Sequence, residues 1–299
     1  MNTQSTSCEA ARKTLHYSIQ KTYDLYHLLM LLVIDVSDYA MQQIELGKQK
    51  NFPTEQELHP NTKFVDNEFI KLMRSNMPLK RYCEAQRLSW GANPEVVKKL
   101  LALLYSTDFF RQYMDNDSRS FVEDKFLIMQ LYSELLEDFE PLLLALEDRN
   151  IYWIDDVEFT ISQVIKTLKL FRHDQSSETP LAQLYRDKED ELFAERALLC
   201  ATTNSAAYRD LVDKHTKNWD LERIAFMDIV IMITAVAELI EFPDIPVKVS
   251  LNEYIEIAKY YSTPNSNLFI NGVLDRIVEE LKQKNMLVKD DDEQTPPES

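Results

Sequence analysis

Few groups of side chains in this sequence have the types and spacing that metal binding or catalysis requires. Helical metal sites pair histidines with carboxylates or with each other three or four residues apart. No two of the five histidines have that spacing. Glu134, Glu137 and Asp138 share one helix face, but no Glu-x-x-His motif accompanies them, so we interpret them as a solvated acidic face. The sequence therefore predicts neither a metal site nor a cofactor. The histidines are His16, His27, His59, His173 and His215.

Other kinds of active site also lack support. Asp155 and Asp156 stand at the start of a predicted helix, where the helix dipole favours acids, and this explains them better than acid–base catalysis. Three glycines in 299 residues are too few for a phosphate-binding or dinucleotide-binding loop. A nucleophilic triad is assembled only in three dimensions, and no local motif indicates one. We therefore expect a protein that is not an enzyme.

The charge of the chain constrains its partners. Its 50 acidic and 33 basic residues give a net charge of −17, which favours basic proteins over nucleic acid. The three cysteines, Cys8, Cys83 and Cys200, have neither disulfide-framework nor metal-site spacing, which fits a reducing, cytoplasmic location. The most apolar runs, 28–34 and 223–240, are too short or too interrupted by charge to cross a membrane.

Apolar residues recur with helical spacing along almost the whole chain, and no strand hairpin stands out, so the predicted class is all-α. The polar segment "DQSSETP" (174–180) is the best candidate for an internal boundary. We expect a helical extension over 1–180, a second domain over 188–287 and a disordered acidic tail over 289–299. Helices are predicted at about 8–46, 63–75, 78–88, from 94, and at 119–138, 155–173, 188–216, 219–241, 246–261 and 264–287.

The helix predicted to follow residue 218 has an unusual composition. Residues 218–239 are apolar nearly all round after Ile224, which predicts a helix buried at the centre of a bundle. Asp228 interrupts it, and an ionised carboxylate in that position is costly unless it is paired or faces a gap. Two interpretations stay open: a structural acid bonded to Arg223 or Arg276, or a partly exposed contact for a basic partner.

Three segments near the C-terminus occur in order: "WDLERIAFMDIVI", "AELIEFPDIPVKVSLNEYIEIAKYY" and "SNLFINGVLDRI". Together, over 188–287, they resemble the C-terminal half of the NusB family of transcription antitermination factors. The segment "IYWIDDVEFTISQVIKTLKLF" (151–171) resembles a longer variant of that family. The resemblance implies two small helical bundles packed crosswise, with an additional N-terminal helical region. It also implies that the last helix passes close to the central one, which would explain the mid-helix Gly272 despite a cost of about 1 kcal/mol.

The resemblance further implies partners and contact residues. NusB proteins bind NusE, a ribosomal protein rich in basic residues, and the pair binds the boxA element of nascent ribosomal RNA. The positions that match the NusE contacts are Glu222 and Asp228, both acidic here. The positions that match the RNA contacts are Asn265, Ser266 and Phe269. A helix N-terminus offers free N–H groups to phosphate, and an exposed Phe269 would stack on a base, whereas core packing is the alternative for this side chain.

The sequence departs from the family at its start, because the arginine-rich segment that leads into the first helix is absent. Either the natural start lies upstream, or this variant relies on NusE for RNA contact, and RNA binding by the chain alone should be weak. Self-pairing, known in the family, stays open. The expected function is that of a non-catalytic adaptor in antitermination and ribosomal RNA synthesis. The alternatives are a helical protein–protein scaffold without RNA binding, and an RNA methyltransferase, which would require a glycine-rich α/β domain.

Overall fold

The computed structural model describes residues 2–216 and 224–287, and the predicted acidic tail, 289–299, lies outside them. Within the described residues every regular element is helical and no β-strand occurs, which confirms the all-α class. The chain divides into two compact units. We call Tyr185–Ser299 with Met1–Leu15 the C-terminal unit, and His16–Leu184 the N-terminal unit. The domain limits expected from the sequence stay predictions.

The N-terminal unit is built around residues 16–48 of α1 (Asn2–Lys48), whose apolar run is buried as the sequence predicts. Leu28, Leu29 and Leu32 are each 0 % exposed. Two buried side chains also bond to main-chain carbonyls of α1: Trp90 Nε1 donates to Leu28 at 2.9 Å, and Tyr132 Oη donates to Leu29 at 2.7 Å. The other helices of the unit are α2 (Glu55–Leu58), α3 (Glu68–Ser75), α4 (Met77–Gln86), α5 (Pro94–Ser106), α6 (Asp108–Asp115), α7 (Phe121–Leu135), α8 (Glu140–Arg149), the 3-10 helix Ile151–Asp156 and α9 (Val157–Leu170).

Side-chain caps determine where several of these helices begin. Asn76 lies between α3 and α4, and its Oδ1 accepts the N–H of Leu79 at 2.9 Å, satisfying a free donor at the start of α4. Its Nδ2 donates to the carbonyl of Thr179 at 2.9 Å, and the side chain is buried. Ser120 caps α7 by accepting the N–H of Glu123. Asn76 therefore both ends α3 and starts α4, whereas Ser120 starts α7 alone.

In the described part of the C-terminal unit, α12 (Phe226–Glu241) lies at the centre of a helical bundle formed with α10 (Lys188–Thr203), α11 (Ser205–Thr216), α13 (Val247–Tyr261) and α14 (Ser266–Gln283). Helix α12 packs against each of the other four, as its apolar composition predicts. Met232, Ala235 and Val236 are each 0 % exposed. Glu238 of α12 is also buried, and its carboxylate accepts a hydrogen bond from Tyr254 Oη at 2.8 Å. This bond gives the buried carboxylate a hydrogen-bond partner.

Several helix limits differ from those predicted, and two of the differences have an identifiable local cause. Residues 188–216 form two helices rather than one, because the chain breaks at Asn204 before α11 begins. Helix α14 begins at Ser266, two residues after the predicted start at Pro264. Asn265 precedes it with φ of 72°, a left-handed conformation that asparagine tolerates better than most residues. Such breaks depend on single backbone angles that hydrophobic periodicity does not report.

The predicted close approach at Gly272 is wrong. Gly272 is exposed, and a Cβ built on it meets no heavy atom within 4 Å. The residue lies in the interior of α14 on its outer side, while its neighbours Val273 and Leu274 carry the buried face. Packing against the central helix therefore does not require glycine at this position.

Candidate partner-binding surface

The first turns of α12 expose apolar side chains, although the rest of the helix is mostly buried. Phe226 is 76 % exposed, and Met227 and Val230 are each 37 % exposed. Phe226 and Val230 lie one helical turn apart and share a face. Contiguous exposed apolar residues on a folded protein often mark a place where another molecule binds. This face could not be predicted from the sequence, because apolar periodicity alone does not reveal which apolar residues remain uncovered.

Asp228, a predicted NusE contact, lies in this first stretch of α12 but is only 4 % exposed. The hydroxyl of Ser262 donates a hydrogen bond to its Oδ1. The position near the helix N-terminus also favours a negative charge. These observations agree with the interpretation of Asp228 as a satisfied structural acid, with a serine as its described partner. Arg223, which the sequence offered as a partner, and Glu222, the other predicted NusE contact, lie outside the described residues.

The hydrogen bond between Ser262 and Asp228 has a second consequence. Ser262 directly follows α13 and leads into α14, so the bond ties this connection to the beginning of α12. Asp228 therefore lies close to the segment that leads into the predicted RNA contacts at the start of α14. Asp228 and Asn265 are separated by more than 30 positions in sequence, and only the fold brings their segments together.

The three predicted RNA contacts differ in accessibility. Asn265 is exposed, and its side chain makes no capping hydrogen bond to α14. Ser266 is 4 % exposed, and its hydroxyl lies 2.8 Å from the hydroxyl of Thr263. Phe269 is half-buried and packs against the core of the C-terminal unit, as the core-packing alternative requires. Leu268 is 70 % exposed beside them. The RNA-contact role of the three residues stays a prediction.

A cluster of charges at the other end of α14 surrounds Glu280. His215 Nε2 and Lys214 Nζ lie 2.5 Å and 2.7 Å from its Oε2, and Lys284 Nζ lies 2.6 Å from its Oε1. Hydrogen bonds from Lys214, Lys284 and His215 lower the pKa of Glu280 to about 2. The cluster joins the end of α11 to α14, and it contains no side chain that could act as a nucleophile.

The described residues offer little else with reactive chemistry. No group of three or more His, Cys, Asp or Glu side chains in this part of the chain is placed to hold a metal ion. The three cysteines are free, and burial raises the pKa of the Cys83 thiol to about 12, which makes it a poor nucleophile. Glu134, Glu137 and Asp138 are exposed. Over the same residues, no helix combines the length and apolar character needed to cross a bilayer.

Comparison with known proteins adds independent information. The family model described as "NusB family" matches residues 153–279, from the 3-10 helix to α14. The transcription antitermination protein NusB of Salinibacter ruber is 38 % identical over 133 residues, covering 42 % of this chain and 83 % of that protein. The NusB of Methylacidiphilum infernorum is 37 % identical over 98 residues, covering 33 % of this chain and 68 % of that protein.

A shorter but closer match also occurs. The NusB of Chloroherpeton thalassium is 49 % identical over 78 residues, which cover 26 % of this chain and 37 % of that protein. A solved structure of T. maritima NusB is 30 % identical with a TM-score of 0.32, covering 48 % of this chain and 87 % of that one. The identity to the Salinibacter protein over most of that protein's length is decisive. This chain belongs to the NusB family of non-catalytic transcription antitermination proteins.

Proposed function

We propose that this protein acts as an adaptor in transcription antitermination and ribosomal RNA synthesis, binding the ribosomal protein NusE and, with it, boxA-type RNA. Family membership implies the antitermination role, and the two named partners are the further step. The observation that carries the proposal is the exposed apolar face of α12, Phe226 with Met227 and Val230, on a chain of net charge −17.

This face suits a basic protein partner for two physical reasons. A large aromatic side chain that is exposed in the free protein and buried in a complex supplies much of the binding energy of many interfaces. The negative field of the chain attracts a lysine- and arginine-rich partner and raises its association rate. Glu222 and Asp228 remain the acidic residues that we propose to favour NusE binding. Because Asp228 is buried, we expect it to act through its charge and by holding Ser262 in place, rather than by direct contact.

The proposed RNA contact is the start of α14. Asn265 is open to solvent, and the free N–H groups at a helix N-terminus suit a phosphate. Position 268 is a leucine, whereas a basic side chain there would bind phosphate, and Phe269 is half-buried. Few phosphate contacts are therefore available. We therefore expect weak RNA binding by the chain alone, with a small dependence on salt. NusE should supply the remaining affinity by contributing its own basic side chains beside this segment.

Affinity for purified NusE, measured by calorimetry, tests the protein contact. Phe226→Glu should weaken binding by about thirtyfold or more, corresponding to about 2 kcal/mol. Phe52→Glu is the matched control: Phe52 is 94 % exposed and lies in the N-terminal unit, so its replacement should leave the affinity unchanged. Asp228→Asn keeps the shape of the buried side chain and removes only the charge. Unchanged NusE affinity in a folded Asp228→Asn protein would remove this charge from the proposed interface.

Fluorescence anisotropy of a labelled boxA oligonucleotide, with and without NusE, tests the RNA contact. We expect RNA binding mainly in the presence of NusE, and a decrease on Asn265→Asp, which adds a negative charge beside the expected phosphate. If NusE binds but never produces RNA affinity, the adaptor proposal fails. The alternative is then a helical protein–protein scaffold, which the burial of Ser266 and the half-buried Phe269 favour.

A further inference from the structure

Helix α7 of the N-terminal unit has a second apolar face that its own core does not use. Its inner face carries Leu127, Ile128 and Leu131, all buried. On its outer face, Val122 is 74 % exposed and Phe126 is 63 % exposed, one helical turn apart. Met129 continues this row but is half-buried and packs in part against the core. The three positions have the four- and three-residue spacing of a helix–helix contact, and Val122 and Phe126 are the exposed part of the row.

The outer row is a ridge between two grooves. The wider groove, about 740 Å³, runs between α7 and α9 and has an apolar floor that includes Phe121, Ile165 and Phe171. The narrower groove, about 360 Å³, runs between α7 and α6 beside Phe109 and Tyr113. Val122 and Phe126 line both grooves. Two helices pack when the side-chain ridge of each fits into a groove of the other. A ridge flanked by two grooves is therefore a suitable surface for a further helix.

The wider groove is positively charged, in contrast to the chain as a whole. Lys125, Lys169 and Arg172 line it, whereas Glu134 is the acid among its lining residues. Lys125 Nζ donates to the main-chain carbonyls of Lys169 and Phe171 at 2.6 Å and 2.8 Å, which holds one cation at the groove. Within the described residues, none of the three cations forms an ion pair with a carboxylate. Their charge is therefore available to an acidic partner.

We propose that α7 and its two grooves are a docking site for an acidic amphipathic helix of another protein. Apolar side chains of that helix would lie on the floor beside Phe126, and its carboxylates would face Lys169 and Arg172. The apolar floor favours a peptide over RNA, because base contacts need open aromatic faces and a continuous cationic track for the phosphates. This site goes beyond the NusE and RNA contacts proposed above, which lie on the C-terminal unit.

Binding of designed, fluorescein-labelled helical peptides to the full chain tests the proposal. The acidic peptide carries leucines in the spacing of the ridge and glutamates along one edge. The comparison peptide has lysine in place of each glutamate, and a third has serine in place of each leucine. We expect the acidic peptide to bind with a dissociation constant of the order of tens of micromolar, and both other peptides at least tenfold more weakly. Added salt should weaken the acidic peptide.

Variants of the chain locate the binding. Phe126→Glu and Arg172→Glu should each reduce the affinity of the acidic peptide at least tenfold. Both side chains are exposed, so both variants should fold, as circular dichroism can verify. Phe52→Glu and Lys80→Glu are the matched controls, since both residues are exposed and neither lines a groove of α7. Neither control should change the affinity.

Four results would overturn the proposal. The first is no binding of the acidic peptide at millimolar concentration, and the second is equal binding of the lysine peptide. The third is that a uridine-rich oligonucleotide binds more tightly than the acidic peptide and that Arg172→Glu abolishes this RNA binding. That result would assign the groove to RNA. The fourth is self-association in sedimentation experiments that Phe126→Glu abolishes, which would assign the ridge to a second copy of this chain.

Discussion

Replacing Gly272 by alanine should stabilise the C-terminal unit. A helix-interior glycine costs about 0.8–1.0 kcal/mol relative to alanine, because glycine loses more backbone freedom on folding. The opposing term is steric, and it is absent here, since a Cβ at this position meets no heavy atom within 4 Å. The residue lies inside α14, with six helical residues before it and eleven after it, so fraying does not diminish the effect. The full propensity difference, about 1 kcal/mol, should therefore appear as added stability.

Hydrogen–deuterium exchange of the α14 amides is the suitable assay. It reports the opening of this unit separately from the other, whereas a melting curve of a two-unit chain mixes two transitions. An increase of about 1 kcal/mol corresponds to roughly fivefold slower exchange of amides that open with the whole unit. Gly91→Ala is the control: Gly91 lies in a turn, and a Cβ there would lie 3.1 Å from Ser89 Oγ, so no gain is expected.

Faster or unchanged exchange in a folded Gly272→Ala protein would refute this reasoning. It would mean that the space around Gly272 is occupied in solution, as by a partner or another copy that needs a bare backbone at this position. In that case the effect of Gly272→Ala on the exchange rate should depend on protein concentration or on added NusE. The same experiment therefore tells whether Gly272 has no packing role or is required for a contact with another molecule.

Three further predictions concern stability. Asn76→Ala should destabilise the N-terminal unit by about 1–3 kcal/mol in urea denaturation, because a helix cap is lost and the half-buried carbonyl of Thr179 loses its donor. A smaller effect would refute this reasoning. Burial lowers the pKa of His27 to about 4, so stability should fall as pH decreases from about 6.5 to 4, and His27→Gln should flatten that slope. Burial raises the pKa of Asp35 to about 6, which makes stability increase as pH decreases over part of the same range. The decisive quantity is therefore the difference in stability between wild type and His27→Gln at each pH. The pKa of Glu280 is lowered to about 2, so the melting-temperature difference between wild type and Glu280→Gln should be complete above pH 5 and vanish towards pH 2.

The helices themselves could largely be predicted from the sequence. Periodic apolar residues and local caps act over one or two turns, so the central position of α12 and the break before Pro94 follow from neighbouring residues. The exposure of Phe226 and the open surroundings of Gly272 could not be predicted in the same way. Both depend on which side of a helix other elements cover, and that is decided by contacts between residues far apart in sequence.

The candidate site was predictable only in part, for the same reason. Family resemblance indicated the two segments that contain Asp228 and Asn265. It did not reveal that Ser262 bonds to Asp228 and joins these segments. One missed feature did have a signal in the sequence. Helix α7 is apolar on two faces, since Val122 and Phe126 lie on a different side from the residues of the core. A second apolar face on a surface helix indicates a contact that the unit alone does not provide.

Charge acts on this molecule at two scales, and the two proposed surfaces depend on different ones. The net charge of −17 is a property of the whole surface and favours a basic protein such as NusE. The cations of the α7 groove are a local exception, because salt at physiological ionic strength confines the influence of each exposed charge to about 8 Å. An acidic helix is therefore repelled until it is close and held once it arrives, so it should bind slowly and selectively. The composition predicts a basic partner but not an acidic one. The net charge is a total over all residues and does not show that Lys169 and Arg172 lie together at one groove.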